Sequence, residues 1–247
     1  MKKLAIIDWG VGGISIYKLV KEELGLPVVY FSDTGATPYG KMTRDQLAGR
    51  LNQVLRFLKG HSVTHIVIGC NAASTALAYL DDGGLTIEGV IEPAVEMTIK
   101  LKPKRLGLIG GRRTVVSGVY RRAFAKRGIE VGQRIAQPLS GMIESGDIGS
   151  EELRDAARRM LRPIRNSTHI LLACTHYPAI TGLLQEMVSP ETRFIDPAGE
   201  LVVKIAEWRL EHGDSDEFFT TGEVRQMKSA AKKAFGVVIE NASRVRP

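Results

Sequence analysis

Two cysteines stand in a chain of 247 residues, and each closes an apolar run: "IVIGC" ends at Cys70 and "HILLAC" at Cys174. Small and polar residues follow at once, "NAAS" after the first and "THYP" after the second. Such a run reads as a buried strand emptying into a loop, and open parallel sheets bind ligands at the carboxyl ends of their strands. A thiol there, followed by residues that can begin a helix, feels the positive end of the helix dipole. Its pKa is expected below the free value of about 8.5, which makes thiolate accessible near neutral pH. Four uses compete. Cysteine is among the most buried residue types, so both thiols can be inert core groups. A disulfide needs an oxidising compartment. Zinc needs more ligands, since Cys70, Cys174 and His176 make three at most and lack paired C-x-x-C spacing. The remaining use is catalysis by one or both thiols.

Two thiols on opposite walls of one cleft suit inversion of a stereocentre. One takes a proton from one face of a carbon, and the other returns a proton to the opposite face. Each must act as thiolate in one direction and as thiol in the other. Each also needs a neighbour to manage its proton. Asp8 ends the first apolar run, beside the expected position of Cys70; His176 lies two residues beyond Cys174; Glu144 sits in the loop "GMIESG" of the same half. The plain alternatives are a helix-capping aspartate and a solvated loop glutamate.

Strands and helices alternate along the chain, which predicts an α/β fold with parallel strands and crossover helices. "KLAIIDWG", "LPVVYFSD" and "VTHIVIG" read as strands. "GISIYKLVKEEL", "TRDQLAGRLNQVLRFLKG" and "NAASTALAYL" read as helices, the second with Thr43 as N-cap and Gly60 at its end. After "GVIEPAV" the pattern restarts with "RLGLIGGRRTVVSGVYRRAFAKRG", strand, glycine turn and helix, and runs to the second cysteine strand. In both halves a glycine turn precedes the cysteine by about sixty residues, a coarse internal repeat. The tail "DEFFTTGEVRQMKSAAKKAFGVVIEN" reads strand, helix, strand, and is expected to return to the first unit. The expected organisation is two pseudo-symmetric domains, each a mostly parallel sheet flanked by helices, with the active site in the cleft between them. Residues 1–93 with 205–247 form the first domain and 94–204 the second.

Composition narrows the class. The chain is 44% hydrophobic and 25% charged, ordinary for a globular enzyme, and no apolar run approaches the ~18 residues of a membrane span. The basic start "MKKLAIIDWG" is broken by Asp8 and reads as a first strand rather than a signal peptide. With no export signal and no cysteine framework, the expected compartment is the cytoplasm, where thiols stay reduced. The net charge of +7 admits an acidic partner, but no nucleic-acid motif accompanies it.

Seven segments, in order, resemble the glutamate racemases of the aspartate/glutamate racemase superfamily: "IIDWGVGGISI", "YFSDTGATPYG", "CNAAS", "GVIEP", "GLIGGRRTVVSGVY", "CTHYP" and "FFTTG". The resemblance implies two α/β domains around a cleft. It implies cofactor-independent interconversion of L- and D-glutamate, supplying D-glutamate for peptidoglycan, with no metal and no pyridoxal lysine. Carried over by motif, Cys70 and Cys174 become the proton-transfer thiols, Asp8 assists Cys70, and Glu144 and His176 assist Cys174. Trp9, Pro38, Tyr39, Gly40, Asn71, Ala72, Thr114 and Thr175 fall at substrate-binding positions. Donors there favour the carbanion-like transition state by electrostatic preorganisation. The resemblance also implies a homodimer, and contact with DNA gyrase is reported for some members.

The chain departs from the pattern at Trp9, Ala72 and Gly111, where the superfamily motif has serine, threonine and threonine. Trp9 and Ala72 each remove a hydroxyl from the substrate's surroundings, and a lost donor to a charged partner costs about 1.5–3 kcal/mol. Three outcomes stand open. Trp9 can turn away to pack and leave a glutamate site. The pocket can be reshaped for aspartate or another dicarboxylate with the same two-thiol chemistry. Or turnover is lost and the protein is a binding or regulatory module.

Overall fold

The computed structural model describes residues 2–213 and 215–247. In chain order its strands are β1 (Leu4–Asp8), β2 (Val28–Ser32), β3 (His65–Ile68), β4 (Thr86–Gly89), β5 (Leu106–Gly110), β6 (Val131–Ile135), β7 (His169–Ala173), β8 (Arg193–Ile195), β9 (Glu217–Thr220) and β10 (Ser243–Arg244). They form two sheets, ordered β10-β9-β2-β1-β3-β4 and β6-β5-β7-β8. Every pairing is parallel. The central strands are apolar almost throughout and buried along their whole length, as parallel strands covered on both faces must be.

Each sheet repeats one connection. β1 pairs with β2 on one side and β3 on the other, and β5 pairs in the same way with β6 and β7. The chain therefore reverses its direction of travel across the sheet at β1/β3 and again at β5/β7. Such switch points leave a crevice at the carboxyl ends of the strands. Cys70 lies just past the end of β3 and Cys174 just past the end of β7.

Helices cover both faces of both sheets. On the first sheet, the helix Ile14–Leu24 packs Ile14, Ile16 and Val20 beside Leu201, Val202 and Ile205 of the helix Ala198–Glu207. The helix Arg44–Gly60 fills the other face with Leu47, Leu51, Val54, Leu55 and Leu58. Burying each such side chain contributes about 1.5–3 kcal/mol. A capping box starts that helix: Thr43 Oγ1 accepts the Gln46 N–H at 3.2 Å, and Gln46 Oε1 accepts the Thr43 N–H at 2.9 Å. On the second sheet, Ile91, Ala94 and Val95 cover one face with Tyr120 and Phe124, while Leu139, Ile143, Leu153 and Leu161 cover the other. Among the described residues, no helix is long and apolar enough to cross a membrane.

Three local expectations need correction. The helix expected over 71–80 stops at Ser74, followed only by a 3-10 turn at Leu77–Tyr79. Thr75 Oγ1 donates to the Ala72 carbonyl at 2.7 Å, an acceptor the continuing helix would use, while Ser74 Oγ ties back to the Ile68 carbonyl at the end of β3 at 3.2 Å. The final strand is not "GVVIEN" but the two residues of β10, the ones whose backbone reaches β9 in register, Ser243 with Phe219 and Arg244 with Thr220. Glu144 is not in a loop. It is the last residue of the helix Gln137–Glu144, whose Leu139 and Ile143 anchor it in the second core.

Candidate active site

The two sheets meet with their carboxyl edges facing, and one cavity of about 190 Å3 lies between them. Cys70 and Cys174 both line it. Neither is in a disulfide; Cys70 is 9% exposed and Cys174 somewhat more. Asp8, Trp9, Pro38, Tyr39 and Gly40 line the first-sheet side with Asn71 and Ala72. Thr114, Thr175 and His176 line the second-sheet side. Glu144 alone among the expected site residues stands behind the wall, where its Oε2 lies 2.7 Å from His176 Nε2.

The second-half thiol has a relay behind it. His176 Nδ1 is 3.7 Å from the Cys174 sulfur, and its Nε2 meets Glu144. Burial alone would pull the His176 pKa down, but bonding to Cys174 and Glu144 outweighs it and holds the ring protonated well above its usual range. Glu144 Oε2 is fixed from the other half, accepting the Val11 N–H at 2.8 Å.

The first-half thiol sits beside Asp8, the last residue of β1. Asp8 Oδ1 accepts the Trp9 N–H at 2.6 Å; its Oδ2 accepts the Gly13 N–H at 2.5 Å and the Thr175 hydroxyl at 3.1 Å. Burial raises the Asp8 pKa, partly opposed by the His176 charge. Burial and the Asp8 charge push the Cys70 thiol well above its ordinary value. This reverses the expected lowering by a helix dipole. The Ala73 N–H of the short helix after Cys70 does pull the thiol down, but burial and the Asp8 charge outweigh it.

The glycine loop that follows β1 is what lets the halves close. A Cβ on Gly10 would stand 2.1 Å from Glu144 Oε2. A Cβ on Gly12 would stand 2.6 Å from both His176 Nδ1 and Thr175 Oγ1, and 2.8 Å from Asp8 Oδ2. Only bare backbone fits between the two sets of acid–base groups.

The loop carrying Pro38, Tyr39 and Gly40 hangs from Asp33. That buried carboxylate takes a forked pair from Arg50, Nη2 to Oδ1 at 2.6 Å and Nε to Oδ2 at 2.8 Å. It also accepts the Tyr39 phenol and the Thr221 hydroxyl, each at 2.8 Å. Trp9 is settled as well. Its indole N–H donates to the Ala36 carbonyl at 3.1 Å, and the ring packs on the first core while its face remains a wall of the cavity.

Sequence reasoning missed Lys41, Gln137 and Ser140, which also line the cavity. Gln137 lies just past the carboxyl end of β6, the one signal that would have found it. Its carboxamide occupies the space above Gly111, where a Cβ would come 2.9 Å from Oε1, and its Oε1 accepts the Arg112 N–H at 3.0 Å. Among the described residues, no group of three or more His, Cys, Asp or Glu side chains is disposed to hold a metal ion.

The two-sheet α/β fold is shared with solved racemases. A glutamate racemase of Francisella tularensis solved with D-glutamate superposes with a TM-score of 0.90, covering 99% of this chain and 97% of that one at 23% identity, a likeness of fold. In sequence, the chain is 31% identical to the glutamate racemase of Desulforudis audaxviator (strain MP104C) over 207 residues, 81% of this chain and 76% of that protein. It is 32% identical to the glutamate racemase of Synechococcus sp. (strain CC9605) over 79% of this chain and 75% of that protein. The Asp/Glu/Hydantoin racemase profile matches residues 14–205. The chain belongs to the Asp/Glu/Hydantoin racemase family, and its class is that of the amino-acid racemases, which are isomerases.

Proposed function

We propose that the protein interconverts L- and D-glutamate without a cofactor, with Cys70 and Cys174 as the paired acid–base groups. The observation that carries this reading is the convergence of both thiols on one cavity, each backed by its own carboxylate system. In one direction a thiolate breaks the Cα–H bond and becomes a thiol, while the opposite thiol gives its proton to the other face and becomes thiolate. The reverse direction exchanges the roles. Asp8 manages the proton of Cys70. His176, held charged by Glu144, does the same for Cys174. Asn71, Thr114 and the backbone of Tyr39, Gly40 and Thr175 supply donors toward the substrate's carboxylates. The resemblance to glutamate racemases supports a cytoplasmic role in supplying D-glutamate for peptidoglycan, and a homodimer.

In deuterated water each enantiomer should gain one α-deuterium as it inverts. Cys70→Ser and Cys174→Ser should each lower inversion by about 10²–10⁴-fold, the usual weight of a general acid or base. Undiminished racemisation in both variants would refute the thiol roles.

One observation favours a second reading. The Trp9 indole N–H is spent on Ala36, and Ala72 offers a methyl, so the first-half wall has lost two hydroxyls. A family member acting on aspartate or another dicarboxylate fits that wall. Assaying both enantiomers of glutamate and aspartate, together with maleate, separates the readings.

A further inference from the structure

Asn71 is 3% exposed, and the two ends of its carboxamide have different surroundings. Oδ1 accepts the Tyr120 phenol at 2.7 Å. Nδ2 is buried and has no partner among the described residues, although Asn71 lines the two-thiol cavity. A buried amide donor left this way is costly unless a ligand completes it. The two ends are also not interchangeable. Turned one way the group offers donors to the cleft; turned the other way it offers a carbonyl oxygen, which repels a carboxylate.

We propose that Tyr120 is a positioning residue, whose hydroxyl holds the Asn71 carboxamide with its N–H bonds aimed into the cleft at a substrate carboxylate. The proposal rests on the reading of the site given above and adds a residue to it. Tyr120 is 1% exposed and bonds no other side chain or carbonyl among the described residues, so its proton goes to Asn71 Oδ1. Burial pushes its pKa up, so it stays a donor throughout the working pH range. Its ring is held in turn, lying 6.1 Å from Phe124 at 18° within the second core. Tyr120 belongs to the helix Val119–Ala125 on the second sheet, and Asn71 follows β3 of the first. The left-handed Gly118, φ 66°, makes the sharp turn that starts this helix beside the cleft. The donor is thus aimed by the opposite half, and only while the halves are together.

Tyr120→Phe tests this, because it removes the hydroxyl and keeps the ring. In 1H–15N spectra of the protein without substrate, the Asn71 side-chain amide pair, assigned by its loss in Asn71→Ala, should shift or broaden in Tyr120→Phe. An unmoved pair would overturn the proposal. With D-glutamate, Tyr120→Phe should raise KM about tenfold, the scale of one hydrogen bond to a charged partner, while kcat changes little. In an Asn71→Ala background the same substitution should cost nothing further. Losses that multiply would overturn the proposal, since Tyr120 would then act independently of Asn71. A wild-type protein that leaves D-glutamate unchanged while the amide pair still moves would sink the glutamate reading and uphold the positioning role.

Discussion

Glu144 Oε2 meets His176 Nε2 at 2.7 Å, and the same oxygen receives the Val11 N–H at 2.8 Å. One atom therefore charges a ring in its own half and is fixed by backbone from the other. Glu144→Gln should keep the size of the group but weaken the hold on the His176 proton. Inversion should fall about 10²-fold, while unfolding in urea changes much less. An equal loss in stability and turnover would make Glu144 a structural group.

Gly12→Ala should be severe for its size. The added methyl meets His176, Thr175 and Asp8 within 2.8 Å, so at least one of the three must move. Overpacking costs about 1–3 kcal/mol, but the larger loss is expected in kcat. Kinetics beside thermal melting will show it; a fully active Gly12→Ala protein would mean that the halves have slack at this point.

Ala72→Thr returns a hydroxyl to the cavity wall. If the substrate is glutamate, KM should fall several-fold, up to the roughly tenfold of one charged hydrogen bond, with kcat little changed. If aspartate or another dicarboxylate is the substrate, the same change should help glutamate selectively and shift the ratio of the two kcat/KM values.

Arg50→Met leaves the buried Asp33 carboxylate without its forked partner. The cost should be about 3 kcal/mol, measured as a lower urea midpoint. Because Asp33 also holds the Tyr39 phenol, KM should rise in the folded variant. Stability lost with KM unchanged would separate this anchor from the substrate loop.

The pH dependence of Cys70 follows from the sign of its shift. Burial and the Asp8 charge raise its pKa well above the ordinary thiol value, so the thiol keeps its proton at neutral pH and thiolate appears only as pH climbs. In Cys174→Ser, alkylation by iodoacetamide should be slow near neutrality and still rising beyond about pH 9. In Asp8→Asn the same curve should move to lower pH. A plateau below pH 9 in the Asp8-containing protein would contradict this picture of the site.

Much of this site can be read from apolar runs that break abruptly. Cys70 and Cys174 follow buried strands and Asp8 ends one, and the period of those runs is local. What was hidden depends on contacts between distant residues. Glu144 looks like a loop residue between two glycines, yet Leu139 and Ile143 pack into the second core and carry the helix through to it. The Cys70 pKa departs from the expected lowering because burial beside Asp8, which has no sequence signature, outweighs the Ala73 N–H of the helix. Asp33 read as the end of a strand; its four donors come from Tyr39, Arg50 and Thr221. Gln137 fills the space over Gly111, a swap between positions 26 residues apart in number and adjacent in space.

The bonds from Asp8 to Thr175 and from Val11 to Glu144 tie the chemistry to one mutual posture of the two sheets. Were the sheets to part, Glu144 would keep the charged ring but lose the Val11 N–H, and the first carboxylate would lose its hydroxyl donor. The acid–base groups of both thiols are thus set by a single docking of the two halves, not by either half alone.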